Sequence, residues 1–249
     1  MISQIRLLEL ELFSFCNRTC KFCPNHYIDR ISDNKVLDKE VFLKLIHELK
    51  EGNFNGVISF SRYCEPLAFR DILEDRIKTI RSILPNIKLV CNTNGDYDWD
   101  GIDLDELTIM DYDNKLSKEE LGLYSRSTKP FVVRKMRLGK INNRAGALDK
   151  VHKRFVRTSP CYEPHYFVGV DFNGQIAPCC NIRSDISTHT DYMLGDLHNS
   201  SLTDILLSQR ATTFRTNVAK CNFDDICKGC SKEPGRYTSD KPDIMNSTS

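Results

Sequence analysis

Ile5-Arg6-Leu7-Leu8-Glu9-Leu10-Glu11-Leu12 leads, after three residues, into Cys16-Asn17-Arg18-Thr19-Cys20-Lys21-Phe22-Cys23. From Leu8 onward the first stretch alternates apolar and charged side chains, the pattern of a strand with one face in a core. The second stretch sets three thiols in the short loop after that strand. Downstream, Asp38 to Glu51 spaces Val41, Leu43, Leu45, Ile46 and Leu49 at near-helical intervals, with Asp38 placed to cap the start. Gly56 to Phe60 reads as a strand, Arg70 to Leu84 as an amphipathic helix, and Lys88 to Asn92 as a strand closed by Asn94-Gly95. Glu106 to Met110 as a strand, Ser117 to Tyr124 as a short helix and Phe131 to Met136 as a strand continue the rhythm. Such alternation predicts an α/β chain with a mainly parallel sheet. Five or six units over about 150 residues are too few for a closed eight-unit barrel of ~250 residues, so an incomplete barrel or open sheet is expected.

Past Pro160 the pattern changes. Tyr166 to Val170 and Gln175 to Ala177 flank Asn173-Gly174, a strong hairpin signal, with Cys161 before the hairpin and Cys179 just after it. Ser201 to Val218 reads as one helix and Cys221 to Cys230 as a cysteine-rich segment. Ser231 to Ser249 is polar and expected to fray.

The chain of 249 residues carries 35 basic and 34 acidic side chains, a formal net charge of +1, and 11 cysteines. Near-neutrality argues against a phosphate-tracking surface, so nucleic acid is not the expected partner. No apolar run approaches the ~20 residues of a membrane span, and Met1 to Arg6 lacks the features of a signal peptide. The expectation is a cytoplasmic protein with no membrane partner. In that reducing compartment clustered cysteines point to metal or redox chemistry, and their odd number argues against a fully paired disulfide scaffold. Three thiols within one loop are what a four-iron cluster needs if one iron is to stay open to an outside chelator. Zinc is the rival metal, although structural zinc sites close with four ligands and no fourth is adjacent.

With an aromatic residue between its last two cysteines, this loop resembles the signature of radical S-adenosylmethionine (SAM) enzymes. The resemblance implies a partial (β/α)6 barrel and a 4Fe-4S cluster held by Cys16, Cys20 and Cys23. It further implies SAM chelated at the open iron with Phe22 near the adenine, cleavage to methionine and a 5'-deoxyadenosyl radical, and an external one-electron donor such as flavodoxin or ferredoxin. Ser61-Arg62-Tyr63-Cys64-Glu65-Pro66 comes after the second strand, where the family has a glycine-glycine-glutamate-proline motif contacting the SAM amino group. Tyr63 and Cys64 stand in place of the glycines, and with Glu65 they are SAM-binding candidates. Cys64 has two readings, core packing or a thiol poised to donate a hydrogen atom. Asn92-Thr93-Asn94-Gly95 resembles the family's ribose-binding turn, which adds Asn92 and Asn94. Asp111-Tyr112-Asp113 either faces the barrel mouth or is a solvated loop, and no histidine has metal-ligand spacing.

Cys161, seventeen intervening residues, Cys179 and then Cys227-Lys228-Gly229-Cys230 resemble the twitch domain, a shortened relative of the SPASM domain. Leu194 to Leu197 with Ser201 to Ile205 resembles the connection into its helix. The resemblance implies a second 4Fe-4S cluster, ligated by Cys161, Cys179, Cys227 and Cys230. Cys180 and Cys221 are left over, either as substitute ligands or as part of a further cluster. The expected organisation is a radical SAM unit over 1–150, a hairpin-plus-helix twitch domain over 151–235 and a polar tail over 236–249.

Asn142-Asn143-Arg144-Ala145-Gly146 resembles an asparagine-arginine-glycine-glycine segment of aminocyclitol-oxidising dehydrogenases of the superfamily, and Arg144 stands seventeen residues before Cys161. That likeness makes Arg144 the candidate catalytic residue and a cyclitol, sugar or amino-sugar hydroxyl the expected substrate group, oxidised to a ketone with the auxiliary cluster as electron acceptor. Asn181 departs from the relatives' acidic residue, which contacts an ammonium. Two rivals remain: a radical SAM enzyme that modifies a ribosomal peptide, lowered by the fifteen residues before Cys16 and raised by Cys64 or Cys91 as hydrogen donor, and a zinc-stabilised binding module without catalysis.

Overall fold

The computed structural model describes residues 1–113, 131–135, 142–148 and 155–232. Five strands, β1 (Leu7–Leu10), β2 (Val57–Phe60), β3 (Lys88–Thr93), β4 (Glu106–Asp111) and β5 (Phe131–Lys135), lie side by side and parallel. Between them in the chain come α1 (Lys39–Glu51) and α2 (Arg70–Ile83). Asp38 accepts hydrogen bonds from the Glu40 and Val41 amides, a cap worth about 1 kcal/mol. α1 buries Val41, Phe42, Leu45, Ile46 and Leu49, each contributing roughly 1.5–3 kcal/mol. Phe42, not Leu43, completes the stripe.

The sixth parallel strand comes from the C-terminal segment. β6 (Phe167–Val170) pairs with the free side of β1, and β7 (Gln175–Ala177) and β8 (Gly195–Asp196) add on antiparallel. The sheet order is therefore β5-β4-β3-β2-β1-β6-β7-β8, an open α/β sheet that realises the expected partial barrel and hairpin. Along β1, Leu8 and Leu10 are sealed while Leu7 and Glu9 are half-buried. Leu8 and Leu10 join side chains of α1 and α2 with Ile176, Leu194 and Ile205 in one core, so both ends of the chain share it. The other face of β1 is left for chemistry.

Two local expectations change. Tyr166 belongs not to the strand but to a helical turn, α3 (Glu163–Tyr166), which has a proline in its first turn. The single helix expected over Ser201 to Val218 is two, α4 (Leu202–Leu207) and α5 (Gln209–Ala219). Ser208 breaks it by adopting an extended conformation (ψ 151°), from which its hydroxyl accepts from the Ala211 amide and caps α5. α6 (Asp225–Lys228) carries Cys227. Ser117 to Tyr124, Met136 and the tail beyond Lys232 lie outside the described residues. Among the described residues no helix is long and apolar enough to cross a membrane.

Candidate active site

Beyond β1 the chain makes a closed excursion. Leu37 N donates to Leu12 O and Ser14 N to Lys35 O, each at 2.8 Å, which staples the two ends of the loop together. Inside it, Cys16, Cys20 and Cys23 line one cavity of about 310 Å³ at the C-terminal ends of the parallel strands. All the cysteines are free thiols. Burial, then the charges of Glu65, Cys23 and Cys20, pushes the Cys16 thiol up to about 11. Thiolates so crowded and desolvated gain from iron, which neutralises them. Among the described residues no three His, Cys, Asp or Glu side chains are disposed to hold a metal ion directly. The three thiols border one cavity with room for a group larger than a single ion, which fits a 4Fe-4S cluster.

The SAM-binding candidates gather around the same cavity. Glu65, 2% exposed, accepts from Thr93 Oγ1 (2.6 Å), Asn94 N (2.8 Å) and Leu67 N (3.2 Å), tying the turn after β2 to the turn after β3. Asn94 Nδ2 donates to Asn17 Oδ1 at 2.8 Å, which joins that turn to the cysteine loop, and Gly95 supplies the left-handed φ of +79°. Asn92 is exposed at the rim. The Phe22 ring lies 5.0 Å from Tyr112, which lines the cavity, while Asp113 pairs with Arg18 at 2.9 Å, so the segment after β4 faces the mouth. Cys64 also borders the cavity, whereas Cys91, 1% exposed, is packed in the core. Thr93, Asn17 and Arg18 had no signal strong enough to single them out.

Tyr63 occupies a glycine's place as a brace. Its hydroxyl donates to Cys180 O at 2.9 Å, its carbonyl accepts from Asn25 Nδ2 at 2.7 Å, and Arg183 covers its ring at 3.9 Å. Arg62 beside it takes a left-handed φ of +84°. Arg183 donates to Asn25 Oδ1 at 2.9 Å and pairs with Asp185, which also holds Arg30. Arg30 in turn binds Glu11 at 2.9 Å. This buried network, invisible in any one segment, locks the cysteine loop onto residues 180–185.

Cys161, Cys179, Cys227 and Cys230 line a second cavity. Burial, then the charges of Cys161 and Cys230, pushes the Cys227 thiol up to about 12, which again favours a thiolate-neutralising metal group. Of the two leftover thiols, Cys180 lines the first cavity with Arg144, and Cys221 is exposed with its sulfur 3.6 Å from Thr158 O. Arg144 lies at a positive φ of +51°; its Nη1 donates to Asn181 Oδ1 at 3.4 Å and its Nε is buried without a partner. Asn181, 0% exposed, also directs Nδ2 at Cys230 Sγ, 3.5 Å away.

The chain is similar to several known proteins. The model of an iron-sulfur cluster-binding domain, SPASM, matches residues 161–231. The S-adenosyl-L-methionine-dependent 2-deoxy-scyllo-inosamine dehydrogenase of Niallia circulans is 24% identical over 237 residues, covering 90% of this chain and 92% of its own. Among solved structures, BtrN in complex with AdoMet and 2-DOIA is similar with a TM-score of 0.76 and 22% identity, covering 92% of this chain and 93% of that one. For anSMEcpe with bound AdoMet the TM-score is 0.58 and the identity 14%, covering 91% and 85%. The Radical SAM superfamily model matches residues 10–159, more than half of the length, and on that match the chain belongs to the radical SAM superfamily.

Proposed function

We propose that this radical SAM enzyme oxidises a hydroxyl of a small polar metabolite, of cyclitol, sugar or amino-sugar type, to a ketone. Its cofactors are a 4Fe-4S cluster with SAM, and a further iron-sulfur group in the C-terminal domain. When bound, the first pair supplies hydrogen-atom abstraction and the second an electron acceptor. Cys16, Cys20 and Cys23 would hold the first cluster, and Cys161, Cys179, Cys227 and Cys230 the second. Phe22, Tyr63, Cys64, Glu65, Asn92 and Asn94 would shape the SAM side of the cavity. We assign residues 1–150 to the SAM unit, 151–235 to the auxiliary unit and 236–249 to a tail, and place the enzyme in the cytoplasm with flavodoxin or ferredoxin as electron donor.

The observation that carries this reading is Arg144. Its guanidinium lies in the cavity of the three loop cysteines, keeps an Nε without a hydrogen-bond partner, and is one side chain, Asn181, from the Cys230 thiol. A hydroxyl held there would have its oxygen stabilised as negative charge builds. Asn181 offers no carboxylate to a substrate ammonium, so the likeness to an aminocyclitol dehydrogenase supports the reaction more than the amine. Cys64 at the cavity edge favours a second reading, radical return of hydrogen to a peptide or sugar carbon. Anaerobic incubation of the reconstituted protein with SAM, a one-electron reductant such as dithionite, and ring-deuterated 2-deoxy-scyllo-inosamine or inositols tests both. The dehydrogenase gives deuterated 5'-deoxyadenosine and a ketone; an epimer or a modified precursor peptide instead of a ketone rejects it.

A further inference from the structure

The dehydrogenation proposed above, on which this inference rests, takes from a carbinol a hydrogen atom, a proton and an electron, and the proton needs an acceptor in the cavity. Arg144 is not that acceptor. A guanidinium remains protonated in proteins, so it can hold an oxygen that becomes negative but cannot take its proton. Two carboxylates line the cavity among the described residues. Glu65 is committed to Thr93, Asn94 and Leu67. Glu9 is committed to nothing comparable: its Oε2 is buried with no hydrogen-bond partner, and the nearest cation, Arg62 Nη1, lies 3.9 Å away. We propose that Glu9 accepts the hydroxyl proton while Arg144 holds the oxygen that loses it.

The strand pattern explains how a carboxylate comes to be there. Leu8 and Leu10 turn into the core, so Glu9 points to the opposite face, and its side chain keeps 15% exposure where it borders the cavity. In register with Glu9 on β6 stands Gly169. A Cβ at Gly169 would sit 2.0 Å from Arg62 Nη1, so the glycine makes the space in which the guanidinium lies beside the carboxylate without hydrogen-bonding it. The facing charged groups come from every neighbouring element: Arg62 after β2, Glu163 on α3, Lys232 at the end of the described chain and Arg144. Burial, the largest influence, outweighs the arginines and raises the Glu9 carboxyl above the usual glutamate value. That direction brings a general base towards working pH. In the overall step the carbinol C–H hydrogen leaves as an atom to the SAM-derived carbon, and the O–H proton passes to Glu9 to give the carboxylic acid. The last electron goes to the auxiliary iron-sulfur group as the C=O π bond forms.

The test uses holoenzyme reconstituted anaerobically and supplied with SAM and dithionite as the one-electron donor, with ring-deuterated 2-deoxy-scyllo-inosamine and a neutral inositol as probes. Glu9→Gln is expected to keep passing deuterium into 5'-deoxyadenosine while ketone, trapped as its oxime, falls about 100-fold and the acid limb of the pH profile disappears. Glu9→Asp, which keeps the charge beside Arg62, is expected to recover part of the ketone and decides the matter if Glu9→Gln loses iron or unfolds. Infrared pH titration of substrate-free holoenzyme should show a carboxyl band, absent in Glu9→Gln, that titrates above the ordinary glutamate range; titration at or below that range means the Arg62 pairing dominates and overturns the proposal. Ketone from Glu9→Gln within about twofold of wild type, acid limb intact, overturns Glu9 and leaves the dehydrogenase standing. Wild type that yields no ketone and moves no deuterium overturns the dehydrogenase and Glu9 together.

Discussion

Asn181 Nδ2 points at Cys230 Sγ from 3.5 Å. Its Oδ1 meanwhile accepts from Arg144, so one sealed amide touches both the Cys230 thiol and the arginine that lines the cavity of the cysteine loop. An N–H donor to a cluster sulfur stabilises the reduced, more negative state and raises the potential. Asn181→Leu should lower the auxiliary midpoint potential in an EPR-monitored titration and slow ketone formation about 10- to 100-fold, with SAM cleavage retained.

The division of the thiols is directly countable. Cys16→Ala should remove about four irons and abolish SAM cleavage, whereas Cys227→Ala should remove about four and leave cleavage in place. Cys221→Ser and Cys180→Ser should retain the full iron and sulfide content. Iron and acid-labile sulfide assays on anaerobically reconstituted protein settle each case.

Asp185 sets an acid limit on stability. Burial alone would raise its carboxyl, but hydrogen bonds and charge from Arg183, with Arg30, outweigh it and hold the group well below the usual carboxylate range. A depressed native pKa means the stabilisation is complete above the unfolded value of about 3.9 and is lost as pH falls below it. Urea midpoints should therefore drop below about pH 4, and Asp185→Asn should lose about 3 kcal/mol at neutral pH and flatten that acid drop.

Glu65→Ala leaves Thr93 Oγ1 and the Asn94 and Leu67 amides without their acceptor. The expected cost is about 1–3 kcal/mol for each group left dry, less where water enters. Calorimetric SAM affinity should fall with it, since the turn after β3 loses its anchor.

Gly169→Ala tests the space beside Arg62. With a would-be Cβ 2.0 Å from Nη1, the arginine must move, at a cost of about 1–3 kcal/mol in the unfolding free energy read from denaturant curves.

The strands and first two helices were readable because each buries its own periodic stripe, and the family because the spacing of the thiols in its loop is local. Ser208 was not readable, since a serine in a helical pattern breaks it only when its hydroxyl caps the next helix. Nor was the role of Tyr63: its partners Asn25, Cys180 and Arg183 lie far away in the chain, and no spacing rule joins them. The alternation along β1 sets which face Glu9 takes, but its register with Gly169 of β6 and its place in one cavity with Arg144 come from segments far along the chain. Nor does any spacing rule show that Cys180, next to Cys179 in the chain, borders the cavity of the first cysteine loop.

β1 lies between β2, met some fifty residues later, and β6, whose pairing residues begin at Phe167. During synthesis the first strand therefore has one flank bare until the far end of the chain emerges, and a chain cut before Phe167 has an exposed sheet edge carrying the metal loop. Contacts so distant in sequence form late and slowly. Until residues 167–170 are in place, the loop after β1 hangs from a strand held on one side alone.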